Sequence, residues 1–216
     1  MSLPELFLAA IRDTLAMVSV SALAALVMGI PLALLLVTTA PGGIYEAPRL
    51  NRVVGTGVNM LRSTPFIILM VALIPLTRLL IGSTIGVWAA AVPLTVASTP
   101  FFARVSEVSL RAVDRGLIEA AQAMGCYRRD IVLRVLLPEA LPGLIAGFTL
   151  TVVAMIGSSA MAGALGAGGL GDLAIRYGYQ RFDTQVMLMV IALLILLVSL
   201  VQFVGEALVR RLASRN

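Results

Sequence analysis

Glu119, Asp130 and three arginines (Arg128, Arg129, Arg134) fall within Ile118–Pro138, IEAAQAMGCYRRDIVLRVLLP, a stretch set between long apolar runs. Such groups can pair with a partner protein or with phosphate, but they form no catalytic constellation by themselves. The rest of the chain supplies little more. It has no lysine and no histidine, its 16 basic residues are all arginine, and Cys126 is its one cysteine. A Walker-type phosphate loop needs lysine, histidine-based metal sites and Ser-His-Asp triads need histidine, and a single cysteine cannot close an internal disulfide. The expectation is a protein with no catalytic residues, no metal site and no cofactor of its own, in which Cys126 is incidental.

Composition names the solvent. Of 216 residues, 60% are apolar and 12% charged, and the mean hydropathy is +1.02. A soluble domain carries about 25% charged residues, and one of this size would have to leave much of this apolar surface facing water. The surroundings are therefore expected to be lipid. The sequence pI of 10.3 does not point to nucleic acid, because the arginines are sorted by loop rather than gathered on one soluble face. No cleavable signal peptide is expected: Glu5 stands where a basic n-region would, and Arg12-Asp13 precede the first long apolar run.

Five segments are long enough to span a bilayer, at about 14–39, 55–77, 85–108, 142–163 and 184–208. Pro65, Pro75, Pro93 and Pro100 in the second and third suggest kinked helices sheltered by protein. With the loop after the first span in the cytoplasm, twelve arginines lie inside (at 49, 52, 62, 104, 111, 115, 128, 129, 134, 210, 211 and 215). Four lie outside, at 12, 78, 176 and 181. The positive-inside rule selects this orientation. The fold expected is an all-α polytopic membrane protein, one domain over 1–216, with the N-terminus outside and the C-terminus inside. The segment 109–141 is then cytoplasmic and 164–183 faces out.

Within 109–141, Asp114 suits an N-cap, and Leu117, Ile118, Ala121 and Met124 recur at helical spacing on one face. Gly125 can end that helix in a left-handed conformation. A second helix would place Ile131, Val132, Val135 and Leu136 on one face, and Arg128, Arg129 and Arg134 on another. Leu137-Pro138 would begin the return to the membrane. Two short amphipathic helices joined at a glycine are thus expected. Amphipathicity alone fits a hairpin lying on lipid headgroups as well as one docked on a protein.

The spacing separates these. Glu119, Ala120, Ala121, Gly125, Val135, Leu137 and Pro138 resemble the EAA loop of bacterial ABC importer permeases, with Val135 where that family commonly has Ile. In that family the loop docks onto a separate ATPase subunit, which binds ATP and Mg and transmits its closure to the spans. The resemblance extends to Arg62-Ser-Thr-Pro65, Ile74-Pro75-Leu-Thr-Arg78, Val92-Pro93-Leu-Thr95, the run Ser159–Gly171 and Arg176-Tyr-Gly-Tyr179. These are similar to permeases of methionine importers over nearly the whole chain. The resemblance implies a homodimer in the bacterial inner membrane, two ATPase subunits and a periplasmic or lipid-anchored substrate-binding protein. Regulation by internal methionine would reside in the ATPase.

On that reading the fourth span, which follows the docking loop, is the lever. Met155, Ser158, Ser159 and Met161 in its outer half are candidates for the translocation pathway, with Met161 as gate. Asp172, Arg176, Tyr177, Tyr179 and Arg181 are candidates for contact with the binding protein. Gly166–Gly171 satisfies G-x-G-x-x-G, but with no strand before it the run reads as a flexible turn at the outer mouth. Gly82-xxx-Gly86 and Gly143-xxx-Gly147 suggest close helix packing. The alternatives are an ABC permease for another amino acid or a betaine, and an ion-coupled secondary transporter. The absence of acidic residues near mid-membrane argues against proton coupling.

Overall fold

A computed structural model describes residues 3–213; Arg215, counted above among the cytoplasmic arginines, lies outside them. The described residues are helical and contain no strand. The elements are α1 (Leu3–Thr38), α2 (Pro48–Ser63), α3 (Phe66–Ala72), α4 (Ile74–Ile81), α5 (Val87–Arg111), α6 (Arg115–Ala123), α7 (Arg128–Asp130), a π-helical turn (Ile131–Leu136), α8 (Leu137–Ala164), α9 (Gly169–Leu173), a second π-helical turn (Ala174–Tyr179) and α10 (Thr184–Ala213).

Three helical bodies are long and apolar enough to cross a membrane: Leu3–Thr38, Arg128–Ala164 and Thr184–Leu212. There are four if the bent pair Pro48–Ser63 and Phe66–Ala72 counts as one. Of the five spans expected, two depart from a single long apolar helix, each for a physical reason. The segment expected at 55–77 is not one helix. Pro65 disfavours helical geometry at the residue before it, Thr64 is extended at ψ 124°, and α2 and α3 meet at 105°. α5, expected as the third span, is 25 residues long but more polar than the others. It is the helix most enclosed by protein, packed on α1, α8 and α2. A helix surrounded by protein need not be apolar all round, and its Thr95 and Thr99 hydroxyls donate to the carbonyls of Ala91 and Thr95.

Packing shows two ends to the bundle. At one, Ala10 of α1, Leu170 and Leu173 of α9, and Val186 and Val190 of α10 form an apolar cluster. At the other, Ala33 of α1, Leu110 and Val113 at the end of α5, and Leu136, Ala140 and Leu144 of the π turn and α8 form a second. Met17, Ala25, Leu94 and Met155 lie in a third cluster between them. α1, α5, α8 and α10 each run from one end to the other, and the broken segment α2–α4 returns the chain between α1 and α5. The first and last described residues are therefore at opposite ends.

Close helix approach depends on particular glycines. A Cβ on Gly163 would strike the backbone of Gly171 and Asp172, so α9 lies directly on the end of α8. Leu170 N donates to Thr14 Oγ1 at 2.9 Å, which ties α9 to α1 as well. The run Gly166–Gly171, expected to be a flexible turn, is instead mostly packed: Gly169, Leu170 and Gly171 are buried. Gly143 and Gly147 face Ser109 and Val105 across the α5–α8 seam at distances no side chain could share, 2.7 and 2.8 Å from a Cβ. Gly82 and Gly86 do not form a packing pair, because they lie in the connection between α4 and α5 rather than on a helix. Gly163→Val should therefore destabilise the protein by about 2–3 kcal/mol, since the obstruction is backbone that cannot rotate away. Gly57→Ala, with nothing within 4 Å, should not lower stability. Thermal unfolding midpoints in one detergent would check both.

Candidate docking surface and transport pathway

α6 starts where the sequence suggests. Asp114 Oδ1 accepts from Gly116 N at 2.8 Å, satisfying one of the free amides of the first turn. It ends at Gly125, whose φ of +76° lets Gly125 N donate to Gln122 O and Cys126 N to Ala121 O. That pair of bonds is a Schellman stop, and the left-handed residue it needs is the reason for glycine. The chain then reverses direction.

The second arm differs from the expected short helix. α7, the π turn and α8 form one continuous helical body, Arg128–Ala164. Pro138 does not break it. Leu137 N donates to Val132 O, five residues back, and this wider turn eases the fit of the proline ring against the preceding turn. Residues expected to lead back to the membrane are thus already part of the same helical body as α8. Ile131, Val132 and Leu136 are buried and Val135 and Leu137 half-buried, while Arg128, Arg129, Arg134 and Pro138 are exposed. The two-faced arm matches the sequence pattern.

α6 is less simply two-faced. Ala121 is buried, and Ile118 is half-buried on the cluster that includes Val113 and Leu136. Leu117 and Met124, expected on the same face, are exposed. Met124 is 77% and Tyr127 81% accessible. With exposed Glu119, Ala120, Gly125 and Cys126 they make a surface of small residues, one carboxylate and two large apolar side chains. Tyr127 was not singled out from the sequence. Its signal was available: a tyrosine two residues after a helix-ending glycine and directly before two arginines has no core to enter. Arg128 stacks on the Tyr45 ring at 5.7 Å, joining the hairpin to the α1–α2 loop. Glu119 also borders a cavity of about 310 Å³ under α6, shared with Thr38, Arg111, Arg115 and Gln122.

The pathway candidates separate by burial. Met155 is 1% accessible, within the central apolar cluster, and Ser159 is buried with its hydroxyl donating to Ile156 O at 2.7 Å. Ser158 is half-buried and Met161 is 51% accessible. Met161 belongs to an exposed stripe of α8, Leu150, Ala154, Gly157, Met161 and Ala164, recurring at helical spacing.

The candidates for binding-protein contact lie on α9 (Asp172), on the second π turn (Arg176, Tyr177, Tyr179) and just after it (Arg181). Arg176 bonds Asp172 through Nε at 2.9 Å and through Nη2. That hydrogen bond raises the Arg176 pKa above its ordinary value, against a smaller opposing effect of burial. Arg181 stacks on the Tyr177 ring at 4.4 Å. Tyr179 is exposed, and so is Phe182, which the sequence did not mark. Phe182 is 86% accessible and sits at φ +56°. An exposed aromatic held in the left-handed region is uncommon and draws attention to the loop that carries it.

A third polar feature lies inside. Glu107 is buried, with Oε2 2.6 Å from Arg104 Nη1 and Oε1 2.8 Å from Arg111 Nη2. Arg104 Nη2 also donates to Gly55 O at 3.1 Å, joining α5 to α2.

The described residues thus form an all-helical bundle in which an exposed hairpin is continuous with a long apolar helix. Residues 25–214 match the family described as binding-protein-dependent transport system inner membrane component, and the chain belongs to that family. It is 48% identical over 211 residues to the probable D-methionine transport system permease protein MetI of Vibrio cholerae, covering 98% of this chain and 94% of that one. It is 42% identical over 172 residues to the methionine import system permease protein MetP of Bacillus subtilis, covering 80% and 78%. A solved structure of the MetNI methionine ABC transporter in an inward-facing conformation matches with a TM-score of 0.95 at 48% identity, covering 98% of this chain and 99% of that one. An amino acid ABC transporter matches with a TM-score of 0.80 at 19% identity, a likeness of fold.

Replacing Glu107 by alanine should leave Arg104 and Arg111 facing each other without their shared carboxylate. The expected loss is roughly 2–3 kcal/mol of stability, the cost of a partly buried unpaired charge. Removing Arg111 as well should recover part of it, which a double-mutant cycle on unfolding midpoints would measure.

Proposed function

We propose that this chain is the permease subunit of an ATP-driven methionine importer in the bacterial inner membrane. Two copies form the translocation pathway and couple to two ATPase subunits through α6. The observation that carries this reading is the exposed hairpin built as one piece with α8. Closure of an ATPase pair displaces α6, α6 rests on the apolar cluster that includes Leu136 and Ala140, and α8 follows. The names of the relatives support methionine as cargo.

On this reading the chain crosses the membrane five times: by α1, the broken segment α2–α4, α5, α8 and α10. The N-terminal end faces out and the hairpin faces in. Glu119, Ala120, Ala121 and Gly125 form the ATPase socket with Met124 and Tyr127 beside them, and Val135, Leu137 and Pro138 belong to the arm that transmits the load. The open stripe of α8 faces the second copy, and Met161, flexible and exposed, is the gate. Met155, Ser158 and Ser159 support that helix from within or at its margin. Asp172, Arg176, Tyr177, Tyr179 and Arg181, with Phe182, meet a substrate-binding protein. No bond of the substrate is made or broken by this chain; ATP and Mg are bound by the partner.

Reconstitution of the chain with its candidate ATPase and binding protein in liposomes should give methionine uptake that requires ATP. Gly125→Asp and Glu119→Lys should each reduce that uptake at least about tenfold while the protein remains in the membrane, as expected for residues at the centre of an interface. Uptake driven by an ion gradient without ATP, or full ATP-driven uptake in both variants, would overturn the assignment.

A further inference from the structure

The Glu107 cluster does more than hold α5 to α2. Arg62 at the end of α2 joins Arg104, Glu107 and Arg111 around a groove of about 640 Å³ along the α5–α8 seam. Three guanidinium groups face one carboxylate, and both oxygens of that carboxylate are already occupied. Arg104 Nε is buried with no acceptor. Among the described residues Arg62 makes no ion pair; its guanidinium lies 5.9 Å from the centre of the Phe101 ring. The net positive charge at the groove is shared by Arg62, which is exposed, Arg111, whose side chain is 50% accessible, and Arg104, whose side chain is 23% accessible.

The groove is also lined by apolar residues, Val105 and Val108 of α5 and Ala146 and Leu150 of α8. Leu150 is on the open stripe of α8, 11 residues before Met161, a separation of about 16 Å along the helix. Groove and candidate gate thus occupy two levels of one open face.

We propose that this groove is an inner binding site for the transported amino acid. Its α-carboxylate would sit between Arg62 and Arg104, and its apolar side chain against Val108 and Leu150. The arginines supply the oxyanion partner missing from the cluster, and the valine and leucine wall accepts an unbranched thioether chain. This inference rests on the methionine-importer reading. A lipid phosphate shares the oxyanion chemistry, so the test must separate the two sources.

The test uses photo-methionine, the diazirine analogue, on the reconstituted transporter with its ATPase in nanodiscs of neutral lipid, followed by peptide mapping. Adducts are expected on peptides containing Val105, Val108 or Leu150. Arg62→Gln should reduce them at least about fivefold, a loss of roughly 1 kcal/mol, at an unchanged unfolding midpoint, and Arg62→Lys should restore most of the signal. Excess methionine should compete and methioninol, which lacks the carboxylate, should not. Absence of adducts there in a wild-type complex that imports methionine would overturn the site alone. So would equal labelling in Arg62→Gln, or loss of labelling on adding phosphatidylglycerol as complete as that caused by methionine. A wild-type complex that shows no ATP-driven methionine uptake would instead overturn the reading beneath it.

Discussion

One apolar knot governs how this chain can work. Ala33, Ala103, Leu110, Val113, Leu136, Ala140 and Leu144 bring α1, α5, the π turn and α8 together, and Ile118 of α6 packs against the same group. Small residues make up three of these seven, so the backbones approach closely and little slack remains between them. A hairpin resting on such a knot cannot shift without carrying the ends of three helices with it. Mechanical continuity is therefore a property of packing, before any partner is considered.

The second constraint is that backbone polar groups in hydrocarbon need partners. Each irregularity of the bundle meets it differently. The hydroxyls of Thr95 and Thr99 cover carbonyls within proline-containing α5. The break at Thr64-Pro65 is bridged by Thr64 N, which donates to Leu61 O, and by its hydroxyl, which donates to Met60 O. The π turns keep the helical bodies continuous with bonds reaching five residues back. Irregular geometry is thus compatible with a membrane because it remains internally bonded.

Much of this was legible in the residues. Asp114 as a cap, Gly125 as a stop and the inward set Ile131, Val132 and Leu136 follow from local rules that tertiary context did not override. The long apolar runs marked α1, α8 and α10 because length and hydropathy suffice for a helix wholly within lipid. α2–α4 escaped because hydropathy averages over a proline break and reads two directions as one. The continuity of Arg128–Ala164 escaped because Pro138 and Pro142 read as interruptions, while the π turn that accommodates them leaves no mark in composition. Helical spacing set Leu117 and Met124 on one face of α6 with Ile118 and Ala121, but spacing identifies a face without saying whether it meets this chain or another.

That last distinction explains the unusual economy of charge. In a chain with no lysine and no histidine every basic side chain is an arginine, and several of these are matched by carboxylates. Arg104 and Arg111 share Glu107, Arg176 pairs with Asp172, and Arg134 with Asp130. Arginine keeps its charge through changes of environment that would discharge a lysine. The arginine pairs therefore give the bundle a constant electrostatic frame.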